Sequence, residues 1–271
     1  MTLVVGCGHL AQYLLSHNEW QQHRETITPD NVPDAVRHAD CIINCAAKTN
    51  LEWCEANARQ AWRDNVELPL AMFRAQLGGV FVHIGSGCIW PTRAEPYSED
   101  DPPNPPSYYG WTKAAADAIL LLEASKCTQR KQLFILRPRQ VFSPMKLERN
   151  TLVKLMTYPR LIDEPNSMTS AAQIMWAIHA ILYGNVAVAP RIYNIASRGS
   201  ISPYRVGMAL YKRGLRSKPE LMARKELDAI QNPKRVSVVM DVSRMCDGLF
   251  TPATIEEELA RTIHAYEMTR P

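Results

Sequence analysis

The sequence predicts an α/β protein built on a parallel, doubly wound sheet with a small C-terminal lobe. Three observations predict it: short apolar runs separated by helical segments, a glycine turn directly after the first run, and a change to polar, irregular sequence after Ser143. With 271 residues the chain has room for one large domain or for a core with a smaller lobe. Lys+Arg exceed Asp+Glu by 31 to 27, an excess of +4 that is evenly scattered and argues against nucleic acid as a partner. No apolar run approaches the ~18 residues of a membrane span, and the first residues enter a strand without a basic leader, so a soluble cytoplasmic protein with no membrane partner is expected. The seven cysteines, at 7, 41, 45, 54, 88, 127 and 246, are odd in number and lack C-x-x-C pairing. They read as reduced thiols, with neither a disulfide framework nor a metal site.

In chain order, residues 2–5 form a β-rich run followed at once by Gly6-Cys7-Gly8-His9-Leu10-Ala11 and an apolar-periodic helix to Leu15. Strand, glycine turn and helix are the setting in which G-x-G-x-x-A binds a dinucleotide. The glycines let the backbone approach a pyrophosphate, and the helix N-terminus stabilises its charge. Gly6, Gly8, His9, Leu10 and Ala11 are therefore cofactor candidates. The next unit is short, with a vestigial strand near 23–27 and one helical turn near 32–38. Arg24, rather than a carboxylate, stands at that strand and suits a 2′-phosphate, which favours NADPH over NADH. The strand 41–44 ends in the small residues Ala46 and Ala47, which let a cofactor lie against the backbone. A helix over about 56–77, interrupted near Pro69, precedes a buried strand at 80–84 with Ser86 at its end.

Beyond the proline-rich loop 101–106, Ser107 is the expected N-cap of a helix running through Lys113 to about Leu122. Residues 133–137 form another strand, so the glycine turn, Ala46, Ala47, Ser86 and Arg137 all gather at strand C-termini. A helix at 171–182 and a strand at 191–195 return to the sheet, while helices near 203–213 and 255–268 suit a lobe. The expected division is a dinucleotide domain, 1–143 with a return segment about 170–196, and a substrate lobe made of 144–169 and 197–271.

Chemistry concentrates between His83 and Lys113. Tyr109 and Lys113 are i and i+4 on one helix face. A nearby ammonium favours phenolate and lowers the tyrosine pKa from its ordinary value of about 10. Ser86 can hold a carbonyl oxygen while Tyr109 passes it a proton, the equipment for reducing a ketone. Y-x-x-x-K is common in helices, and its weight here comes from the serine 23 residues upstream and the glycine turn at the start of the chain. His83 reads as a core or sheet-facing residue, and residue type alone does not make it a base.

Ser86, Tyr109 and Lys113 together resemble the Ser/Thr-Tyr-Lys triad of the short-chain dehydrogenase/reductase superfamily, which has a Rossmann-type fold. The segment 91–102 resembles its extended branch, which acts on nucleotide sugars. Four local matches narrow this: Ser86-Gly87-Cys88-Ile89-Trp90 resembles T-G-C-I-F, Trp53-Cys54-Glu55 resembles V-D-W-C-E, Lys154 the lysine of F-I-T-K, and Pro165-Asn166-Ser167-Met168-Thr169 resembles P-N-S-M-T. In this order, over roughly residues 1–210, they are similar to the nucleotide-rhamnose synthase epimerase/reductase family, which includes the C-terminal domain of plant rhamnose synthases. The chain is also similar to dTDP-4-dehydrorhamnose reductases.

The resemblance implies 3,5-epimerisation of a UDP- or dTDP-linked 4-keto-6-deoxy-glucose and NADPH reduction at C4, giving a nucleotide-linked rhamnose. It implies Cys88 and Lys154 as the epimerising acid and base, and Ser86, Tyr109 and Lys113 as the reducing residues, with Lys113 also at the cofactor. Asn65 would support the active-site strand, Arg139, Asn150 and Asn166 would surround the substrate, and a homodimer would form through the helices at 56–77 and 107–122. The protons at C3 and C5 are both α to the C4 ketone, so one oxyanion site can serve all three steps. If the chain stays extended after Ser86, Ser86 and Cys88 point to one side, and a thiol beside Lys113 or Lys154 is a suitable proton carrier.

The glycine turn departs from the G-x-x-G-x-x-G common in extended members, implying a tighter pyrophosphate loop. Ser replaces Thr at position 86 and keeps the hydroxyl. The sequence leaves UDP and dTDP open. Two other readings stand beside this one: a reductase acting on sugar epimerised elsewhere, and a non-catalytic regulatory subunit, against which the intact triad speaks.

Overall fold

The computed structural model describes residues 1–23, 26–127, 131–184 and 192–269. The first half alternates strand and helix: β1 (Thr2–Val5), α1 (His9–Ser16), β2 (Gln21–His23), α2 (Asp34–Arg37), β3 (Cys41–Asn44), then α3 (Leu51–Ala56), α4 (Ala58–Trp62) and α5 (Leu68–Ala75). It continues with β4 (Gly79–Ile84), α6 (Tyr108–Ser125) and β5 (Lys131–Pro138). The second half holds α7 (Thr151–Thr157), β6 (Arg160–Leu161), α8 (Ala171–Tyr183), β7 (Ile192–Ile195), α9 (Pro203–Lys212), β8 (Glu220–Leu221), α10 (Arg224–Ile230), α11 (Ser243–Gly248) and α12 (Ile255–Met268).

Among the described residues six strands form one sheet in the order β2-β1-β3-β4-β5-β7, every pair parallel. Winding reverses between β1 and β3, so a crevice opens beyond their C-terminal ends. The period-2 alternation of each strand feeds two cores. Val4, Ile43, Val82, Phe134 and Leu136 pack under α1 and α8 on one face. Leu3, Val5, Ile42, Phe81, Leu133 and Ile135 pack against α2, α5 and α6 on the other. The α/β, doubly wound architecture is as expected.

A third core, with Phe142, Leu152, Leu155, Leu161, Val206, Leu210, Ile255, Leu259 and Ile263, joins α7, α9 and α12 around the short parallel pair of β6 and β8. These residues come mainly from the segments expected to form a lobe, whereas part of 197–271 packs elsewhere. Met245 of α11 is buried in the first sheet core, together with the partly buried Val242, Leu249 and Phe250.

The helix expected over 56–77 begins earlier, at Leu51, because the Asn50 side chain caps it by accepting from Trp53 N at 2.7 Å. It is interrupted at Asn57 and by a π turn over Arg63–Glu67 rather than at Pro69. Pro69 occupies the first turn of α5, where its missing N–H costs no helical hydrogen bond. The expected second strand lies slightly earlier, at Gln21–His23, and Arg24 falls outside the described residues.

Candidate active site

The glycine turn closes onto the switch point. Gly6 has φ +124°, in the region that favours glycine, and a Cβ there would meet Ala46 N and Cys45 C at 3.0 Å. The turn is thus pressed against the end of β3, where Ala46 and Ala47 are half-buried. Gly8 is the N-cap of α1, and a Cβ there would meet nothing within 4 Å, so the space before the helix N-terminus is open. Leu10 and Ala11 send their side chains into the sheet core, leaving backbone as what they offer a dinucleotide. His9 Nε2 lies 2.6 Å from Ser143 Oγ, tying the turn to the loop after β5. Burial, and then the charge of Lys154, push His9 down to about 4.

Ser107 caps α6 as expected, accepting from Gly110 N at 3.2 Å. A Cβ at Gly110 would lie 2.6 Å from Cys88 O and from Pro105 Cβ, so the glycine is what allows the first turn of α6 to touch the segment after β4. That segment is not extended. Ser86 Oγ accepts from Cys88 N at 3.0 Å and starts a 3₁₀ turn over Gly87–Ile89, because the serine supplies a local cap for the backbone leaving the sheet. Ser86 and Cys88 are therefore brought together by a cap, and the period-2 expectation fails.

Tyr109 and Lys113 are 7% and 1% exposed, and burial decides both their charge states. Burial pushes the Tyr109 phenol up, Cys88 adds to the rise, and the Ser86 hydroxyl and the Arg139 charge oppose it. Lys113 is pushed down to about 8 by burial, against Asp117 and Cys45. Its amine donates to Ile84 O at 2.7 Å and lies 3.2 Å from His83 Nε2. The expected acidification of Tyr109 by Lys113 is thus overturned: the lysine is drawn toward β4, and desolvation outweighs the benefit of a shared helix face.

Asn65, in the π turn, accepts from Lys48 N at 2.7 Å and donates to Lys48 O at 3.0 Å and Thr112 Oγ1 at 2.9 Å. It joins the segment after β3 to α6 rather than holding β4 directly, and a widened turn at such a place is a common functional device.

The sulfur of Cys88 meets neither Lys113 nor Lys154. Arg139 Nη1 donates to Cys88 Sγ at 3.0 Å, while Arg139 Nε donates to Asn166 Oδ1 at 2.8 Å and Nη2 to Val236 O. Asn166 Oδ1 also accepts from Val238 N at 3.1 Å. Arg139 and Asn166 therefore form a buried brace behind Cys88.

Two other assignments change. Asn150 is 0% exposed; its oxygen accepts from Ser143 N and Leu152 N at 3.2 and 3.1 Å, and its nitrogen donates to Ser143 O and Met145 O, each at 2.7 Å. With its amide so committed it caps α7 and is not a substrate contact. Arg137 does not reach the cofactor crevice. It donates to Asp117 Oδ2 at 2.8 Å and Glu99 O at 3.2 Å, because a buried guanidinium needs a carboxylate and α6 supplies one. Lys154 sits exposed on α7 without a side-chain hydrogen bond among the described residues. Desolvation first, then Arg235 and Arg149, lower its pKa, and it acts on His9 and Glu52 across the crevice.

Sequence reasoning missed Asn44, which lies 3.1 Å from His83 Nδ1, as well as Gly110 and Ser143. A histidine inside an otherwise apolar strand was the available signal for the first. Among the described residues no group of three or more His, Cys, Asp or Glu could hold a metal ion, and no helix is long and apolar enough to cross a membrane.

Known proteins share both the fold and the sequence pattern. The chain is 27% identical over 191 residues to the bifunctional dTDP-4-dehydrorhamnose 3,5-epimerase/dTDP-4-dehydrorhamnose reductase of Arabidopsis thaliana, covering 67% of this chain and 60% of that protein. It therefore spans less than two thirds of that relative. The structure of dTDP-4-dehydrorhamnose reductase from Bacillus anthracis str. Ames, in complex with NADP, superposes with a TM-score of 0.80 at 19% identity, over 97% of this chain and 98% of that one. The UDP-rhamnose synthase of Acanthamoeba polyphaga mimivirus gives 0.81 at 16% identity, over 98% and 99%. These two establish the common fold. The RmlD substrate binding domain family matches residues 14–268, and the chain belongs to that family.

Proposed function

We propose that the protein is an NADPH-dependent reductase of a UDP- or dTDP-linked 4-keto-6-deoxy sugar, and that the same pocket first epimerises C3 and C5. The observation that carries this reading is the convergence of Ser86, Cys88 and Tyr109 where α6 meets the end of β4, across from the glycine turn. Close packing at Gly6 and open space before Gly8 fit a pyrophosphate. Gly6, Gly8, the backbone of His9, Ala46, Ala47 and Lys113 would hold the dinucleotide, with Arg24 as the 2′-phosphate contact. NADP in the Bacillus anthracis relative supports the choice of cofactor.

When bound, the nicotinamide supplies a hydride to C4. Ser86 donates to the ketone oxygen and holds it as charge develops. Tyr109, kept protonated by burial, gives its proton to that oxygen, which is more basic than a phenolate once C4 is reduced. Water then reprotonates the tyrosine. In epimerisation, a proton leaves C3 or C5, the enolate oxygen rests on Ser86 and Tyr109, and a proton returns on the opposite face of the ring. Cys88 and Lys154 are the pair assigned to this exchange. Exposed Trp111 and Leu122 on α6, with Trp62 nearby, support a homodimer through that face, and the free cysteines support a reducing compartment such as the cytoplasm.

A second reading, reduction alone, is favoured by the electrostatic neighbours of Lys154, which are His9, Glu52, Glu148, Arg149 and Arg235 rather than Cys88. Incubation in D2O with NADPH and each 4-keto-6-deoxy-glucose nucleotide separates the two. The expected product is a rhamnose nucleotide with deuterium at C3 and C5. A product without carbon-bound deuterium, or turnover only of sugar already epimerised by another enzyme, leaves reduction alone, and no turnover of either form of the sugar overturns both readings.

A further inference from the structure

His83 has no role in the steps above, yet it stands between two polar side chains in the middle of the sheet. A hydrogen-bond chain of fixed polarity reaches it. Ala46 N, a backbone donor, binds Asn44 Oδ1 at 3.1 Å, which orients the Asn44 amide. The amide nitrogen then lies 3.1 Å from His83 Nδ1 and donates to it, so Nδ1 must carry a lone pair. Burial, and then the charge of Lys113, hold His83 well below its ordinary pKa, so the ring is neutral. A neutral imidazole whose Nδ1 accepts carries its one proton on Nε2. That nitrogen lies 3.2 Å from Lys113 Nζ and 4.0 Å from Asp117 Oδ1, an oxygen without a hydrogen-bond partner among the described residues.

We propose that His83 is a positioning residue for Lys113: locked as the Nε2–H tautomer by Asn44, it presents a donor to the lysine amine and works against the ammonium form. A neutral amine satisfies the whole network, accepting from His83 Nε2 and donating to Ile84 O. An ammonium has only donors and meets another N–H at 3.2 Å. The other groups facing Lys113 pull the opposite way: Asp117 one turn along α6, itself paired with Arg137 of β5, and Cys45 beyond β3 both favour the charged form. Burial offsets them and lowers Lys113 to about 8, and the Nε2–H of His83, 3.2 Å from the amine, acts in the same direction as burial. Lys113 is then a group whose charge can follow what binds beside it.

The inference rests on the proposed reductase reading only for its kinetic consequence, and the decisive measurement needs neither cofactor nor substrate. Protein labelled with ¹⁵N-histidine and ¹³C-lysine is titrated by NMR in the nucleotide-free state. His83 is expected to show a lone-pair nitrogen at Nδ1 and a protonated one at Nε2, and Lys113 to titrate near 8. In His83→Gln the amide oxygen can turn to the ammonium, and the Lys113 midpoint should rise by about one pH unit. A proton on Nδ1 in the parent, or a midpoint unchanged or lowered in the variant, overturns the assignment. If the variant does not fold, the tautomer in the parent decides alone. The alkaline limb of kcat/KM for the 4-keto sugar should move up with the midpoint. The expected titration together with no turnover of any 4-keto sugar nucleotide would sink the reductase reading and leave the His83 assignment standing.

Discussion

The two sides of the crevice are built by opposite electrostatic means. On the sheet side, Tyr109, Lys113 and His83 are buried, and desolvation moves each toward its neutral form. On the lobe side, charge is kept and tied down: Arg139 donates to Cys88, Asn166 and Val236, and Arg224 pairs with Glu164 behind it. The first arrangement suits groups that pass protons, because small changes around them move their charge. The second suits rigid placement, because each bond removes a freedom from the sulfur or the loop it holds. A change on the sheet side should therefore appear mainly in rates and pH profiles, and a change on the lobe side mainly in stability and in the steps proposed for Cys88.

The sharpest way to break this contrast is Tyr109→Phe. It should lower kcat for reduction about 10³-fold while NADPH affinity, read by fluorescence titration, stays within about twofold. Equal turnover in variant and parent would remove the sheet side from the chemistry. Next in size is His9, buried where the two sides meet. Its folded pKa is depressed, so its contribution to stability is complete above the unfolded value near 6.5 and is lost as pH falls toward about 4. Across that window it should account for on the order of 3 kcal/mol. His9→Gln should flatten the acid limb of urea-unfolding curves collected between those pH values.

Arg139→Met removes the brace. It should cost about 2–3 kcal/mol in chemical denaturation, since Asn166 loses one of its two donors and Val236 O loses the guanidinium. It should also slow deuterium entry at C3 and C5 more than reduction of sugar already epimerised. The smallest effect is expected for Asn150→Ala: about 1–2 kcal/mol of stability from the lost α7 cap, with KM for the sugar nucleotide unchanged. A raised KM without loss of stability would return Asn150 to the substrate site.

These contrasts follow how each side is encoded in the chain. β1, β3 and the helices at Ala171–Tyr183 and Ile255–Met268 lay open in the sequence, because period-2 and period-3.6 patterns with N-caps are local. Helix α7, the β6–β8 pair and α10 did not stand out. Their segments are short and polar, and they become ordered by packing on a core shared with α9 and α12. At the site, the Ser107 cap and the i, i+4 relation of Tyr109 and Lys113 were legible for the same local reason. The partner of Cys88 was not: Arg139 lies 51 residues away and is itself aligned by Asn166 and Val236, 27 and 97 residues further on.

By itself the sequence determined which groups could do chemistry: a glycine turn after the first strand, a serine at the end of the fourth, and a phenol and an amine one helical turn apart. Only the tertiary structure decided their charge and their neighbours. It turned Lys113 toward Ile84 and His83, held Tyr109 as a phenol, placed Arg139 on Cys88, and assigned Arg137 and Asn150 to the framework. The physical reason is that spacing along a helix or strand sets direction alone. Desolvation and hydrogen bonding depend on which distant segments close over a group, and those forces set its protonation and its partner.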